Sequence, residues 1–376
     1  MNWSRTGSSV ISSAAIALVT APGPAQDTDP PAPAQINNYQ HPADTETTPL
    51  GTLGHIEKRG NGPVDLILLP GAGFGWSVWE TFMARNADRY TMYAITPPGN
   101  DGTKPPPMPE NPENFASHTW TNGLLDGIVK LINNEKLDRP IVVGHHLLGD
   151  HHALRMGLEH PELIRSVIVV TGSPTRLGET VQDAASAQLT TTDQQQIDAV
   201  ERHWLAFYKT MTRDDWLSGA YKPFVLATDE DRGAALYEQQ IATPFPTQIR
   251  YYLEFMTTNL SNRLSDLQVP LLVVYPLLDP DVAREALRRQ FVAQLGDEDD
   301  AERRLQIVID KVFGGKEAFE QRVSKNELWE ALRPKMSNLT VEYIPDTQIF
   351  IMDDQPDKLD ELIEAFIKRI SAASIE

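Results

Sequence analysis

Side chains able to transfer protons or bind metals are concentrated in one short stretch, directly after a run of β-branched residues at 141–143. They are His145, His146, Asp150, His151 and His152. Imidazole changes its charge near neutral pH, so it is well suited to accept or donate a proton during a reaction. The stretch therefore indicates either proton transfer or metal binding, and the two require different additional residues.

A metal site here would begin with His146 and Asp150, which are four residues apart and would share one face of a helix. His151 or His152 would have to add a ligand, but adjacent helical residues point in divergent directions, and no third ligand is evident elsewhere. The chain contains no cysteine, which excludes a thiolate site. We therefore predict no metal and no other cofactor.

The stretch lies where a short strand turns through Gly144 into a helix that continues to about His160. Similar apolar or alternating runs predict strands at 53–58, 64–69, 91–95, 140–144, 166–170, 269–275 and 339–344. The first two are separated by the turn cluster at 60–62, and we expect them to pair. Because the later strands alternate with helical segments, the sequence predicts an α/β fold with a mostly parallel central sheet flanked by helices.

Composition divides the chain into five regions. Residues 1–25 combine Arg5, a short apolar run and small residues at a plausible cleavage site, which predicts a signal peptide and export to the periplasm or the extracellular space. Residues 26–50 are rich in proline and alanine, which predicts a disordered linker. The folded core is expected at 51–176 and 266–376, separated by a helical segment at 177–265.

The charge of the chain limits its partners. It has 376 residues and a formal net charge of -19, from 33 lysines and arginines against 52 aspartates and glutamates. Nucleic acids and anionic membranes would repel such a chain, and no apolar run is long enough to span a bilayer. We expect a small-molecule ligand, no nucleic acid and no membrane span, and the sequence leaves the oligomeric state open.

From about residue 53 to residue 370 the chain resembles the α/β-hydrolase superfamily. The landmark segments follow in the order of that family: LILLPGAG at 66–73, VVGH at 142–145, EHPE at 159–162, VPLLVV at 269–274 and FIM at 350–352. The resemblance implies a lidded, esterase-like member in which residues 177–265 form an inserted helical lid. Aromatic lid side chains would then contact a ligand, namely Trp204, Phe207, Tyr208, Tyr251 and Phe255.

The same resemblance assigns positions to a nucleophile and an oxyanion hole. Counted from Gly144, the nucleophile position falls on His146, whereas counted back from His160 it falls on Leu147, and the sequence leaves both open. Neither residue is a serine, cysteine or aspartate. The oxyanion hole would be formed by the backbone amides of Ala72 and of the residue after the nucleophile position, Leu147 or Leu148, and it does not depend on side chains.

At the position of the family's acid this chain has the expected residue type, whereas at the position of the family's histidine it does not. Asp279 follows the strand at 269–275 where the family carries its acid, but Ile349 stands where the family has its histidine. A hydroxyl nucleophile without a base to accept its proton is weak. The resemblance therefore implies a degenerate catalytic triad.

Three functions are compatible with this sequence. The favoured one is an exported protein that binds a small, partly apolar ligand without ester hydrolysis by the family mechanism. The alternative is an active hydrolase or lyase of altered chemistry, in which Asp279 orients His146 as a general base. The third is a non-catalytic scaffold that binds a partner.

Overall fold

The structure, a computed structural model, describes residues 40–172, 212–219, 222–258, 260, 263–277 and 279–373. The predicted signal peptide at 1–25, residues 26–39 of the predicted linker and residues 177–211 of the predicted lid lie outside these residues. The predicted ligand contacts Trp204, Phe207 and Tyr208 lie outside them as well.

Seven strands form one sheet in the order β1-β3-β2-β4-β5-β6-β7. The strands are β1 His55–Arg59, β2 Val64–Leu69, β3 Tyr90–Thr96, β4 Ile141–His145, β5 Ser166–Val170, β6 Leu271–Leu277 and β7 Leu339–Pro345. β1 is antiparallel to β3, and all other neighbours are parallel. This confirms the predicted mostly parallel sheet, and β2 and β5 have the predicted bounds.

The expected pairing of the first two strands is wrong, because β3 lies between β1 and β2. The glycine turn that joins β1 to β2 passes over the start of β3 instead of closing a hairpin. A Cβ atom on Gly62 would lie 2.0 Å from the carbonyl carbon of Arg89, and the Gly62 carbonyl accepts a hydrogen bond from the Thr91 hydroxyl (2.8 Å). Gly60 and Gly62 have no Cβ atom, so they allow the backbone of the turn to cross close to the backbone at the start of β3.

Thirteen α-helices, within the described residues, accompany the sheet. They are α1 Glu80–Arg85, α2 Thr119–Glu135, α3 Leu148–Glu159, α4 Arg213–Gly219, α5 Pro223–Leu226, α6 Glu230–Ala242, α7 Phe245–Met256, α8 Pro280–Leu295, α9 Glu298–Val308, α10 Lys316–Ser324, α11 Glu327–Leu332, α12 Ile351–Asp354 and α13 Pro356–Ala373. Among the helices of the described residues, none combines the length and apolar character that crossing a bilayer requires.

The central strands are buried on both faces, and their side chains alternate between two hydrophobic cores. Leu66 and Leu68 of β2 pack in one core, beneath α1 and α13, while Ile67 and Leu69 pack in the other, beneath α2 and α3. Successive side chains of a strand point to opposite faces, so an uninterrupted apolar run produces this arrangement. Helices on both faces hold the strand ends in place.

The described residues between β5 and β6 form helices, among them α4 to α7, and the loops that connect them, with no strand among them. The last of these helices, α7, packs against α2 and α3, so it is attached to the core. The predicted role of this segment as a lid stays a prediction.

A second helical segment, α8 to α10, follows β6 and Asp279. It contains a π-helix, Ile309–Phe313, that ends at Gly314 and Gly315, both with positive φ. Its apolar residues form a core of their own, drawn from residues 283–323.

A buried ion pair fastens α7 to the start of α2. Arg250 Nε donates to Glu254 Oε1 (2.6 Å), and both side chains are fully buried. The Glu254 carboxylate also accepts hydrogen bonds from the Trp120 and Thr121 backbone N–H groups (2.9 Å each). His118, the residue preceding α2, makes no side-chain capping bond, so Glu254 supplies the acceptor that the first turn of this helix needs.

Removing the charge of Glu254 tests this attachment. We expect Glu254→Gln to lower the free energy of unfolding by about 3–5 kcal/mol, because the Arg250 guanidinium is left buried without its counter-charge. The measurement is urea denaturation. As a control, Lys358→Ala breaks an exposed pair with Glu361 and is expected to change the value by less than about 1 kcal/mol. Equal losses in the two variants would contradict the assignment.

Candidate functional site

The turn between β4 and α3 is tight and strained. β4 ends at His145, α3 begins at Leu148, and the two residues between them both have positive φ, His146 at 42° and Leu147 at 51°. Such backbone conformations cost a non-glycine residue about 1–3 kcal/mol and persist only where the surrounding structure enforces them.

Two glycines allow this turn to form. A Cβ atom on Gly144 would lie 2.2 Å from the Gly149 carbonyl oxygen, and one on Gly149 would lie 2.5 Å from the Pro70 carbonyl oxygen. The start of α3 therefore presses directly on the end of β4 and on the loop after β2. Any side chain at Gly144 or Gly149 would push these backbones apart.

Leu147 occupies the apex of the turn. It combines φ 51° with ψ -97°, and it immediately precedes the helix. Its carbonyl accepts the first hydrogen bond of α3, from the His151 N–H (3.1 Å). Both positions that the sequence left open have positive φ, and Leu147 is the one that directly precedes α3. The side chain at this apex is apolar and has no attacking atom.

His146 is 1% exposed, and its Nδ1 lies 3.4 Å from the Thr171 carbonyl oxygen. Burial, and to a smaller extent the neighbouring His145, lowers the pKa of His146 to about 3. The ring is therefore neutral at physiological pH. A neutral imidazole whose protonated form is so disfavoured is a weak proton acceptor.

Asp279 does not join His146. It is exposed, it caps the N-terminus of α8, and its Oδ1 accepts from the N–H groups of Asp281 (2.8 Å) and Val282 (3.3 Å). No hydrogen bond or ion pair between Asp279 and His146 is present in the described part of the chain. The Asp-Pro sequence here is used as a helix start.

Ile349 contributes its backbone to the site. Its side chain is buried, and its carbonyl oxygen accepts from His145 Nε2 (3.0 Å) and from the Thr171 hydroxyl (2.8 Å). The residue predicted to stand at the position of the base thus anchors two neighbouring side chains through its carbonyl. Burial lowers the pKa of His145 to about 4, opposed by its hydrogen bond to Ile349.

Thr171 is the residue of this arrangement that the sequence did not identify. It follows β5, has φ 59°, and holds both His146, through its carbonyl, and Ile349, through its hydroxyl. A single threonine before a glycine carries no pattern that would distinguish it from an ordinary turn residue.

Four of the predicted binding residues meet in one hydrophobic cluster. We call it the elbow cluster; its buried members are Phe115, Trp120, Leu148, Ile249, Tyr251, Tyr252, Leu253, Phe255 and Met256, with Ala72, Met108, Leu147, Trp216 and Phe245 partly buried against them. The structure thus brings Ala72 and Leu147 together with Tyr251 and Phe255. The oxyanion role of the Ala72 and Leu147 amides stays a prediction.

Two aromatic members are fixed by specific contacts. The Tyr251 hydroxyl donates to the Pro98 carbonyl (3.0 Å), and the Phe255 ring lies edge-on to the His151 ring, with the centroids 5.1 Å apart.

Within the described residues, no group of three or more histidine, aspartate or glutamate side chains is arranged to hold a metal ion.

Comparison with known proteins places this fold and turn in a family. A sequence profile described as the alpha/beta hydrolase family matches residues 66–310, a range that begins within β2 and includes the strained turn and β6. The chain belongs to the alpha/beta hydrolase family. The match covers more than half of the chain.

Relatives of this alpha/beta hydrolase family member cover only part of it. The chain is 26% identical over 162 residues to 2-(acetamidomethylene)succinate hydrolase of Mesorhizobium japonicum, which is 43% of this chain and 54% of that protein. It is 28% identical over 120 residues to pimeloyl-(acyl-carrier protein) methyl ester esterase of Nitrosomonas europaea, 32% of this chain and 41% of that protein. The matched regions thus span about half the length of these relatives.

A solved structure extends the similarity in fold to most of the chain. A thermophilic esterase from Thermogutta terrifontis superimposes with a TM-score of 0.53 at 12% identity, covering 84% of this chain and 93% of that one. At this identity the likeness concerns the fold alone.

Substituting Gly144 tests the backbone contact beneath the turn. We expect Gly144→Ala to lower the free energy of unfolding by about 3 kcal/mol or more, because its methyl group meets the Gly149 backbone. Gly123→Ala in α2 is the control: its Cβ would meet chiefly the exposed Leu50 side chain, which can move, and the change should stay below about 1 kcal/mol. Similar losses in both variants, measured by urea denaturation, would contradict the contact.

The buried histidines predict a loss of stability in acid. His145 and His146 have pKa values of about 4 and about 3 in the folded chain, below the ordinary 6.5 of an unfolded histidine. Their contribution is complete above pH 6.5 and is lost as the pH falls below it, because the unfolded chain then binds more protons.

We therefore expect the free energy of unfolding to fall between pH 6.5 and pH 4, and the slope to be shallower by about 1.4 kcal/mol per pH unit in His146→Gln. His55→Gln removes a ring that is exposed in the folded chain and should leave the slope unchanged. Denaturation curves at several pH values measure the slope. An unaltered slope in His146→Gln would rule out this contribution.

Proposed function

We propose that this protein binds a small, partly apolar molecule at the turn between β4 and α3, and that it does not hydrolyse esters by the mechanism of its family. The observation that carries the proposal is the strained apex of the turn, which holds Leu147. The family mechanism requires a nucleophilic side chain at this point, and a leucine has none.

The other catalytic roles support the same conclusion. Ile349 stands at the position of the base and engages His145 and Thr171 through its carbonyl. Asp279, at the position of the acid, is committed to capping α8. In this proposal the triad is degenerate in its nucleophile and its base, and the acid that remains has no imidazole to orient.

What remains is suited to binding. The backbone at the start of α3 keeps the positive end of a helix dipole, which favours the oxygen of a carbonyl or carboxyl group. Beside it, Leu147 and Ala72 border the elbow cluster, whose partly buried members Trp216 and Phe245 pack ring to ring (5.7 Å between centroids). An apolar body with a polar oxygen-bearing end fits both surfaces.

The named relatives agree with a ligand of this kind. One is described as a hydrolase of a succinate derivative and the other as an esterase of a methyl ester. Both descriptions refer to carboxylic acids or their derivatives. A binding protein that kept the recognition but lost the attacking group would take molecules of the same class.

Turnover and ligand binding together test the proposal. We expect the purified protein to hydrolyse short nitrophenyl esters no faster than Leu147→Ala does. We also expect carbonyl-bearing apolar compounds to raise its Tm, by an amount equivalent to about 2.7 kcal/mol at a hundred times Kd.

Leu147→Trp should abolish the rise in Tm by filling the apex, whereas Leu295→Trp, at an exposed position of α8, should not. Turnover that disappears in both His146→Ala and Asp279→Asn would show an active enzyme of altered chemistry. If there is neither turnover nor a rise in Tm, the partner-binding scaffold is favoured.

Export is a separate proposal that rests on residues 1–25 of the sequence. It predicts that the mature protein in its source begins after this segment, in the periplasm or the extracellular space. N-terminal sequencing of the native protein tests it, and a mature chain that still begins with Met1 would contradict it.

A further inference from the structure

The residues before β1 form a strap along one side of the fold. Residues 40–54, which we call the strap, contain neither helix nor strand, and Gly51 is the only buried residue among them. The end next to β1 is seated on α2: a Cβ atom on Gly127 would lie 2.6 Å from Leu53 Cδ2, and Lys130 Nζ donates to the Gly51 carbonyl (3.0 Å). The strap is therefore anchored at this end.

The outer end of the strap is attached through His41. The Nε2 atom of His41 lies 2.9 Å from the Thr247 hydroxyl oxygen of α7, and in the described part of the chain this hydrogen bond is the one that joins the strap to α7. The His41 ring also stacks on the Trp120 ring at the start of α2, with the centroids 6.1 Å apart. Between the two ends, the Thr48 N–H donates to the Pro105 carbonyl in the loop after β3 (2.9 Å).

The contact between His41 and Trp120 covers one edge of the elbow cluster. Trp120 belongs to this cluster and is fully buried. On another side the Tyr251 ring of α7 packs edge-on against it (5.3 Å between centroids), and the buried pair of Arg250 and Glu254 fastens α7 to α2. The strap has no regular structure and its outer end has few contacts, so it opens at a lower cost than α7.

We propose that the strap is a gate of the ligand site, closed by the contacts of His41 with Thr247 and Trp120 and opened when His41 leaves them. In the closed state the His41 ring occupies the place against Trp120 that the apolar body of a ligand takes in the open state. A ligand that binds only the open state has an apparent Kd that rises as the open fraction falls. This inference rests on the proposed function and adds the regulation of its site.

Removing the His41 contacts should therefore tighten binding. A hydrogen bond and a ring contact of this kind each shift an equilibrium by about two-fold to ten-fold. We expect His41→Ala to lower the Kd of acetophenone, a carbonyl-bearing apolar compound, by about five-fold or more in NMR titrations of the full chain. A side chain with only a structural role would leave this Kd unchanged or raise it. His55→Ala, at a half-exposed position of β1, is the control and should keep the Kd of the wild type.

A matched pair of substitutions at Thr247 tests the same contact from the side of α7. Thr247→Val keeps the volume of the side chain but removes the hydroxyl that His41 contacts, and it should lower the Kd by about two-fold or more. Thr247→Ser keeps the hydroxyl and should keep the Kd of the wild type. This pair decides the question if His41→Ala fails to unfold cooperatively.

The possible results separate the gate from the ligand site itself. If acetophenone binds the wild type, and His41→Ala and Thr247→Val bind it no more tightly, the gate is overturned and the proposed function stands. If acetophenone binds neither the wild type nor these variants, both proposals are wrong.

Discussion

Direct contact between two stretches of backbone, at Gly144 and Gly149, is the constraint on which this site depends. Because the start of α3 rests on the end of β4, the two residues between them cannot relax, and Leu147 is held in a strained conformation at the apex. The contact needs no catalytic side chain. The geometry of the turn therefore does not depend on a nucleophilic residue at the apex, which here is leucine.

Backbone carbonyl groups also position the side chains around the turn through hydrogen bonds. The Ile349 carbonyl accepts hydrogen bonds from the ring of His145 and from the hydroxyl of Thr171, and the Thr171 carbonyl is hydrogen-bonded to the ring of His146. Imidazoles buried in this way are neutral and serve as hydrogen-bonding parts of the core. Five ionisable residues in one stretch of sequence thus reflect interior packing as much as chemistry.

The positions of the strands can be predicted from the sequence, but not every pairing between them can. The runs at Val64–Leu69 and Ser166–Val170 are largely apolar, with one polar residue each, Asp65 and Ser166. This is expected of strands buried on both faces, and their bounds were predictable. The pairing of β1 was not, because the choice between an adjacent hairpin and a crossing over β3 depends on contacts distant in sequence.

The candidate site, too, could be predicted from the sequence only in part. Family order located Asp279, Ile349 and the turn, but the register of the apex depends on a dihedral angle at Leu147 that no residue type encodes. Arg250 and Glu254 read as an ordinary charge pair on one helix face. Only the fold reveals that both are buried and that the carboxylate caps another helix. The capping role of Asp279, by contrast, agrees with its place before a proline.

The helical segment after β6, α8 to α10, packs differently from the rest of the molecule. Most of its apolar side chains, from residues 283–323, pack on one another, and Ala286 of α8 also packs against the core beneath α1 and α13. Insertions, deletions or local melting there would leave the strand ends and the strained apex in place. Substitutions inside this separate cluster are therefore expected to affect the stability of the segment more than the geometry of the turn.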